Sequence, residues 1–303
     1  MKKPGLMMCF FFLHYFTASS TIFATDIVFP PIQAFAHFPY MDDVLAGPGR
    51  FRFGFSFAAD NTLEYCVEHP ALFDFESLSA GFSVRYGLTR KTNLELYIKG
   101  SHIWGGLFDR AIETFHFAFG FPNGNRGEVD ENRVEYRYHD LYDYRSAKSV
   151  LLPPVVAILS EIFADDRWTV KTRFALGLPV QPVPGLSSDR PFAAVGCILA
   201  YETGRLRISW AHYLTAMKKP GWLRGEKAAS TMYFSDLKVS YRSLFAALTF
   251  RTSPLRDRYI GQDGLQLLAG LKFRSGLEIG FVEGLPPMET TSDIGLYVQY
   301  GFR

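Results

Sequence analysis

The sequence lacks several features that would assign it to a common class. Its 303 residues carry 32 Lys and Arg against 30 Asp and Glu, so charge gives no general reason to expect a nucleic-acid partner. No internal repeat or biased segment is present, which excludes collagen, coiled coils and low-complexity chains. Charged residues are scarce at 20%, against about 25% in soluble domains. A polar, freely soluble surface is therefore not expected.

Cysteine and long hydrophobic runs are also scarce. Three cysteines cannot make a disulfide scaffold, and a pairing between Cys66 and Cys197 is allowed but left open. After residue 24 no run of about 18 apolar residues occurs, so membrane-spanning helices are not expected. Phosphate-loop, nucleophile-elbow, zinc and HExxH motifs are absent, so no cofactor, metal or catalytic residue is assigned. Phe, with 29 residues, is abundant instead.

Residues 1–24 are typical of a cleaved export signal. Lys2 and Lys3 precede an apolar stretch at 6–16, and Ala24 supplies the small residue that cleavage needs. An uncleaved anchor is the alternative, but the segment is short and polar for a span of about 20 residues. We therefore expect the chain to be exported from the cytoplasm and the signal to be removed.

The mature chain alternates apolar with polar or small residues. This period of two is typical of β-strands with one apolar face. It recurs along twelve segments, near 50–58, 77–88, 93–102, 152–163, 168–178, 191–201, 205–213, 230–241, 244–252, 264–274, 276–283 and 293–302. Alternation alone does not decide whether the apolar faces point inward or outward.

The lengths of the connections between strands indicate more clearly which way the apolar faces point. From residue 152 onward, short turns and long loops alternate strictly, as in transmembrane up-and-down barrels. We therefore predict an all-β protein with one transmembrane antiparallel up-and-down β-barrel at 50–303, preceded by an irregular periplasmic segment or plug at 25–49. The loop at 103–151 is either extracellular or folded inward, and it carries a short helix. Twelve strands are predicted, with fourteen as the alternative if 135–145 and another segment of the loop together contribute a pair.

The last strand resembles the ends of outer-membrane barrels. Ile294, Leu296, Val298, Tyr300 and Phe302 form an apolar face that runs to the penultimate residue. Such a terminal strand is expected to be read by the barrel assembly machinery, and the apolar wall is expected to contact outer-membrane lipid and lipopolysaccharide. The oligomeric state is left open.

If the apolar faces point to lipid, the opposite faces line the lumen. Anions on these faces are few: Glu95, Asp236 and Glu278. The cations predicted there, as a possible anion-attracting set, are Arg52, Arg85, Lys99, Lys171, Arg173, Arg207, Lys238, Arg251 and Lys272, with Arg205 beside them. Two interpretations remain open: an interior that attracts anionic solutes, or cations that pair with loop carboxylates, such as those at 128–143, and fill the barrel.

The long loop carries a second candidate site. Helical spacing after Gly105 places Asp109, Glu113 and His116 on neighbouring turns, and Arg126 follows a sharp turn. Two carboxylates and an imidazole could bind a divalent metal or act in acid/base chemistry, or they could form the solvated face of a short amphipathic helix.

The same loop carries a resemblance to a known family. The residues involved are Gly105-Gly106, Phe108-Asp109, Ile112-Glu113, His116, Phe119-Gly120, Pro122 and Gly124 to Arg126, following a strand that ends at Tyr86-Gly87-Leu88. This motif resembles a family of bacterial exported proteins catalogued only as a domain of unknown function. The resemblance covers about 50–135 and implies an outer-membrane barrel, with no activity or cofactor attached.

Three functions remain possible from the sequence. The leading hypothesis is a channel or transporter-like barrel for small, anionic or amphipathic solutes. The alternatives are an outer-membrane hydrolase or lipid-modifying barrel that uses the 109–116 helix, and a structural or adhesion barrel with a closed lumen. Whether the protein is an enzyme is left open.

Overall fold

The computed structural model describes residues 44–65, 71–106, 108–119, 133–138, 141–223, 228–255, 263–285 and 294–302. In this part of the chain a single sheet contains fifteen strands. The strands are β1 (Phe51–Tyr65), β2 (Ala71–Gly87), β3 (Thr92–Trp104), β4 (Glu135–Tyr138), β5 (Tyr142–Tyr144), β6 (Lys148–Leu151), β7 (Val155–Ala164), β8 (Trp168–Gly177), β9 (Phe192–Thr203), β10 (Leu206–Met217), β11 (Thr231–Tyr241), β12 (Leu244–Arg251), β13 (Gly264–Lys272), β14 (Leu277–Gly284) and β15 (Ile294–Phe302), and helix α1 spans Asp109–Phe119.

Twelve of these strands close an antiparallel barrel. From β7 to β15 each strand pairs with the next, β15 pairs with β1, and β2 and β3 complete the ring to β7. The predicted twelve-strand barrel is confirmed. The fourteen-strand alternative is wrong, because β4 and β5 form a short hairpin on the edge of β2 and do not cross the barrel. Strand β6 pairs with β3 and continues into β7 after Leu152-Pro153-Pro154.

Strands β1 and β2 are longer than predicted because their pattern changes along their length. Near the start of β1 the outward positions are apolar, as at Phe55 and Phe57. Further along the hairpin the outward positions become polar, at Asn61 and Glu76, while Phe75 lies on the inner side. A strand whose apolar face changes sides midway has no single period-two signature.

The outer face of the barrel is an apolar band. Phe57, Phe174, Leu214 and Leu296 each expose about half of their side chain on this face. Their neighbours along each strand point inward and are buried, so the alternation is that of a transmembrane barrel. No helix in the described residues is long and apolar enough to span a membrane.

The two ends of the barrel differ. At the end named here the turn end, strands are joined by residues 88–91, 165–167, 204–205, 242–243 and 273–276. At the opposite end, the loop end, every connection except 66–70 is much longer. This arrangement places the long 105–147 excursion and the 178–191 loop at the same mouth, where both can reach the lumen.

Candidate functional site

All nine predicted lumen cations lie on inward positions of the barrel strands. Arg52, Arg85, Lys99, Lys171, Arg173, Lys238 and Arg251 are buried, and Arg207 and Lys272 are half-buried. Arg205, expected beside them, instead lies exposed in the 204–205 turn. Because the inward cations are almost wholly enclosed, they pack against other side chains and do not border a wide aqueous pore.

One group of charges centres on the carboxylate of Glu95, in β3. Its Oε1 lies 2.6 Å from Nε of Arg85, and its Oε2 lies 2.9 Å from Nε of Arg173. Arg173 also donates a hydrogen bond from Nη1 to the hydroxyl oxygen of Tyr213, at 2.8 Å. These four residues, the Glu95 cluster, tie β2, β3, β8 and β10 together across the lumen. A fully buried carboxylate is stabilised only by such pairing.

A second group centres on Glu278, in β14. Lys238 donates from Nζ to Oε2 at 3.0 Å, and Nζ of Lys272 lies 3.7 Å from Oε1. The ammonium of Lys238 also lies 4.2 Å from the centroid of the Phe245 ring, a cation–π distance. These residues form the Glu278 cluster.

The carboxylates that pair with these cations belong to strands of the barrel itself. The expectation that acidic residues of 128–143 would pair with the lumen is not met in the described part of that stretch, where Asp143 is exposed and pairs with Arg145 at 3.2 Å. Glu95 and Glu278 were both recognised as lumen anions, but their partners were not. Which charges meet depends on the register and on distances across the ring, and neither is visible in a single strand.

Residues 44–49 close the turn end of the lumen. The carbonyl of Val44 accepts a hydrogen bond from Nη1 of Arg85, which points inward. Leu45 packs against the buried interior cluster, and the amide of Gly49 donates to the carbonyl of Gly87 at 2.8 Å. The sequence predicted an irregular segment or plug at 25–49; its described part enters the mouth of the barrel.

Aromatic residues close the loop end. The β4–β5 hairpin places Tyr136 against Phe73 and Phe75, with ring centroids 5.2 Å apart in both pairs. The rings of Tyr136 and Tyr142 stack at 5.0 Å. All are buried, together with Tyr138. Burial raises the pKa of Tyr136 and of Tyr142 above the usual tyrosine value, so both remain neutral phenols.

The 178–191 loop completes this closure. Tyr136 donates from its hydroxyl to the carbonyl of Gly185, and Trp222 donates from Nε1 to the carbonyl of Ser187 at 3.0 Å. Leu186, between these residues, is buried. We call the β4–β5 hairpin, residues 185–187 and Trp222 the aromatic plug. The sequence placed a strand at 135–145 only in the fourteen-strand alternative, and it did not predict that this segment folds into the mouth of the barrel.

Helix α1 lies on the outside of the barrel. Asn61, an outward residue of β1, donates from Nδ2 to Oδ1 of Asp109 at 2.9 Å, and the amide of Phe108 donates to Oε1 of Glu76. At the other end of the helix, the ring of Phe115 lies 5.7 Å from that of Phe281 on β14. A carboxylate at a helix N-terminus is favourable to the helix dipole. The helix therefore crosses the outer wall from β2 to β14.

This position alters the predicted loop site. Asp109 is buried against the barrel and Glu113 is half-buried, while the side chain of His116 and all of Arg126 lie outside the described residues. In the described part of the chain no three His, Cys, Asp or Glu side chains are grouped to hold a metal ion. The helix instead exposes Phe117, by 87%, on its outer side.

The height of α1 follows from strand geometry. Asn61 lies ten residues beyond Phe51, and at about 3.3 Å per residue on a strand tilted by about 40° this is roughly 25 Å above the turn end. That is the height of the apolar band in transmembrane barrels. The helix thus covers Asn61 and Glu76 where the wall leaves the membrane.

Replacing Gly106 with Ala is expected to release α1 from the wall. Gly106 has a φ of +72°, and an added Cβ would lie 1.7 Å from Cδ of Glu76. The expected cost is about 1–3 kcal/mol in the local stability of the helix, measured as faster amide exchange over 109–115 in a barrel that stays folded.

The matched control is Gly49→Ala. Gly49 has a φ of +68° but no atom within 4 Å of an added Cβ, so it carries the backbone cost without the collision. Equal rates of amide exchange in α1 for the two variants would contradict the proposed close contact between Gly106 and Glu76.

Cys197 is unpaired and exposed on the outer face of β9. Its predicted partner, Cys66, lies outside the described residues. The outward position agrees with the interpretation of Cys197 as a small apolar residue of a strand.

The closed ring, the apolar outer band and the charged interior define a transmembrane β-barrel protein. Residues 22–149 match the family described as "Protein of unknown function (DUF3187)", and the resemblance predicted from the sequence to a family of unknown function is thereby confirmed. No protein with a curated description matches the chain.

Solved structures agree with this class. An outer-membrane channel from Pseudomonas putida F1 aligns with a TM-score of 0.53 at 13% identity, covering 85% of this chain and 97% of that one. At this identity the likeness shows a shared fold. OmpF from Salmonella typhi, in complex with daunomycin, aligns with a TM-score of 0.35 at 8% identity over 84% of this chain and 98% of that one, which is too low to establish a common fold.

Proposed function

We propose that the protein is a gated channel of the bacterial outer membrane that passes small solutes, anionic or amphipathic, and that the conformation described above is its closed state. Export would use the signal at residues 1–24. In transmembrane barrels short turns are periplasmic and long loops extracellular, so the turn end faces the periplasm. The outer wall then contacts lipid and lipopolysaccharide, and the barrel assembly machinery recognises β15.

The chemistry of the interior is the observation that carries this proposal. Burying an ion costs several kcal/mol, and apolar residues of similar volume often fill the same space with greater stability. A barrel that served only as a scaffold would gain from an apolar filling. This one encloses the Glu95 and Glu278 clusters, a filling suited to an interior that hydrates when it opens.

The excess of cations supports anionic solutes. The inward cations outnumber the inward carboxylates of the described strands, which include Asp60, Glu95, Asp236 and Glu278, so the hydrated interior would carry a positive potential. Asp236 accepts a hydrogen bond from the hydroxyl group of Thr249 at 2.9 Å. A positive lumen favours anions in pores of this kind.

The two segments that close the ends of the lumen support gating, because neither is part of the barrel wall. Residues 44–49 and the aromatic plug both enter the lumen from its ends, and the twelve-strand ring of hydrogen bonds remains complete without them. Movement of these segments would open a path without breaking the barrel.

A closed structural or adhesion barrel is the second candidate. The full burial of Glu95 and Lys238 favours it, because both lie where a pore would run. The hydrolase alternative has less support, since Asp109 contacts the outer wall and is not open to a substrate.

Removing the aromatic plug tests the proposal. A variant in which residues 44–49 and 135–144 are each replaced by a short Gly-Ser linker, so that both ends are opened, is expected to show steady single-channel steps in planar bilayers, with a reversal potential that favours chloride over potassium. The wild type is expected to be mostly silent under the same conditions.

The control is Asp143→Asn with Arg145→Gln, which removes an exposed pair and leaves the plug in place. This variant should stay as silent as the wild type. A linker variant that is folded and heat-modifiable but conducts nothing would favour the structural barrel instead.

A further inference from the structure

Charge is distributed unevenly around the turn end of the barrel. Each of the five turns carries a cation, and Arg50 precedes β1. On one half of this rim the described charged residues of the turns are all basic. Following neighbouring strands around the ring, it contains Arg242, Arg274, Arg50, Arg90 and Lys91, all of them exposed, and no acidic residue occurs in the turns 88–91, 242–243 and 273–276. We call these five residues the cationic arc.

The other half of the rim is mixed. Arg167 follows Asp165 and Asp166, and Arg205 follows Glu202. Oδ1 of Asp165 accepts hydrogen bonds from the amides of Arg167 and Trp168, at 2.8 and 2.6 Å, which lower the pKa of its carboxyl group and keep it charged. Oε2 of Glu202 lies 3.0 Å from Nη1 of Arg207. Opposite charges therefore offset one another on this side.

The cationic arc lies directly below outward aromatic residues. Tyr241 precedes Arg242, and the guanidinium lies 5.4 Å from the centroid of its ring. Phe273 precedes Arg274, and the side chains of all four residues, Tyr241, Arg242, Phe273 and Arg274, are exposed. Aromatic girdles of membrane barrels mark the level of the lipid head groups. Cations one residue beyond the girdle therefore lie at the depth of lipid phosphates.

From this arrangement we infer that the cationic arc binds the phosphate groups of anionic phospholipids in the periplasmic leaflet. Guanidinium groups match phosphate in geometry and donate to it in pairs. The arc continues the lipid-facing surface without a break, so a lipid is the occupant that reaches it with no further docking surface. The inference rests on the orientation proposed above and is independent of whether the barrel conducts.

Native mass spectrometry of the full chain tests this inference. The purified barrel is released from micelles that contain equal amounts of phosphatidylglycerol and phosphatidylcholine with identical acyl chains. The wild type is expected to retain phosphatidylglycerol in preference, and the preference should weaken as salt rises. Arg90→Gln with Arg274→Gln is expected to lower it by about tenfold, since each basic residue near an anionic surface contributes severalfold.

The matched control is Arg167→Gln with Arg205→Gln on the mixed half, which removes the same number of charges. Its preference should stay within about twofold of the wild type. Equal retention of the two lipids by the wild type, or equal losses in the two variants, would overturn the inference. Displacement of the lipid by inorganic phosphate at millimolar concentration would instead identify a site for soluble anions.

Discussion

Replacing Glu95 with Gln is expected to lower the free energy of unfolding by about 3–5 kcal/mol, the cost of breaking a buried ion pair from one side. Glu95 is fully buried, and its carboxylate neutralises the guanidinium groups of Arg85 and Arg173. Gln keeps the volume but removes the charge, leaving two cations 4–5% exposed with a neutral neighbour. Urea titration of the refolded barrel in lipid vesicles measures the change.

Glu202→Gln is the matched control for this substitution. Glu202 pairs with Arg207 at 3.0 Å, but its side chain is 55% exposed near the end of β9. An exposed pair of this kind contributes at most about 1 kcal/mol. Similar losses for the two variants would mean that the Glu95 cluster is hydrated, and the lumen would then not be filled as described.

Reversing charge inside the open barrel is expected to change which ion passes. In the variant that lacks residues 44–49 and 135–144, Lys171→Glu with Arg207→Glu should lower the preference for chloride over potassium by roughly tenfold. Both residues face the lumen near the turn end, where the two new carboxylates would meet every ion. Arg173 is left unchanged, because its partner Glu95 would otherwise face a second buried carboxylate.

Arg205→Glu provides the comparison for this experiment. It lies two residues from Arg207 but is exposed in the turn. Its effect on the reversal potential is expected to be small and to disappear at about 1 M salt, where the Debye length is about 3 Å. If Arg205→Glu changes the preference for chloride over potassium as much as the inward pair does, that preference is set by surface charge and not by charge in the lumen.

The barrel itself could be predicted from local features. Phe51 to Phe57 and Val170 to Leu178 show which faces are apolar, and the alternation of short and long connections shows that these faces point outward. Both signals are local, because side-chain direction alternates along every strand and turn length is read directly from the chain. The same signals identified the inward cations, from Arg52 to Lys272, residue by residue.

Helix α1 shows the limit of prediction from local sequence. Spacing correctly predicted a short helix at 109–116, which the structure extends to Phe119, but the same spacing grouped Asp109 with Glu113 and His116 as a shared face. The buried position of Asp109 is decided by Asn61, 48 residues earlier on the outer wall. The helix contacts β2, β1 and β14, and these are neighbours only because the barrel closes.

The sequence by itself determined the strands, their lipid-facing sides and the sign of charge in the lumen, because each depends on residues a few positions apart. Only the tertiary structure decided that the lumen is filled. Glu95 meets Arg173, Lys238 meets Glu278, and Tyr136 meets Gly185 across 40 to 78 residues of chain. Closing the ring sets those distances, and the cost of burying an unpaired charge then selects the partners.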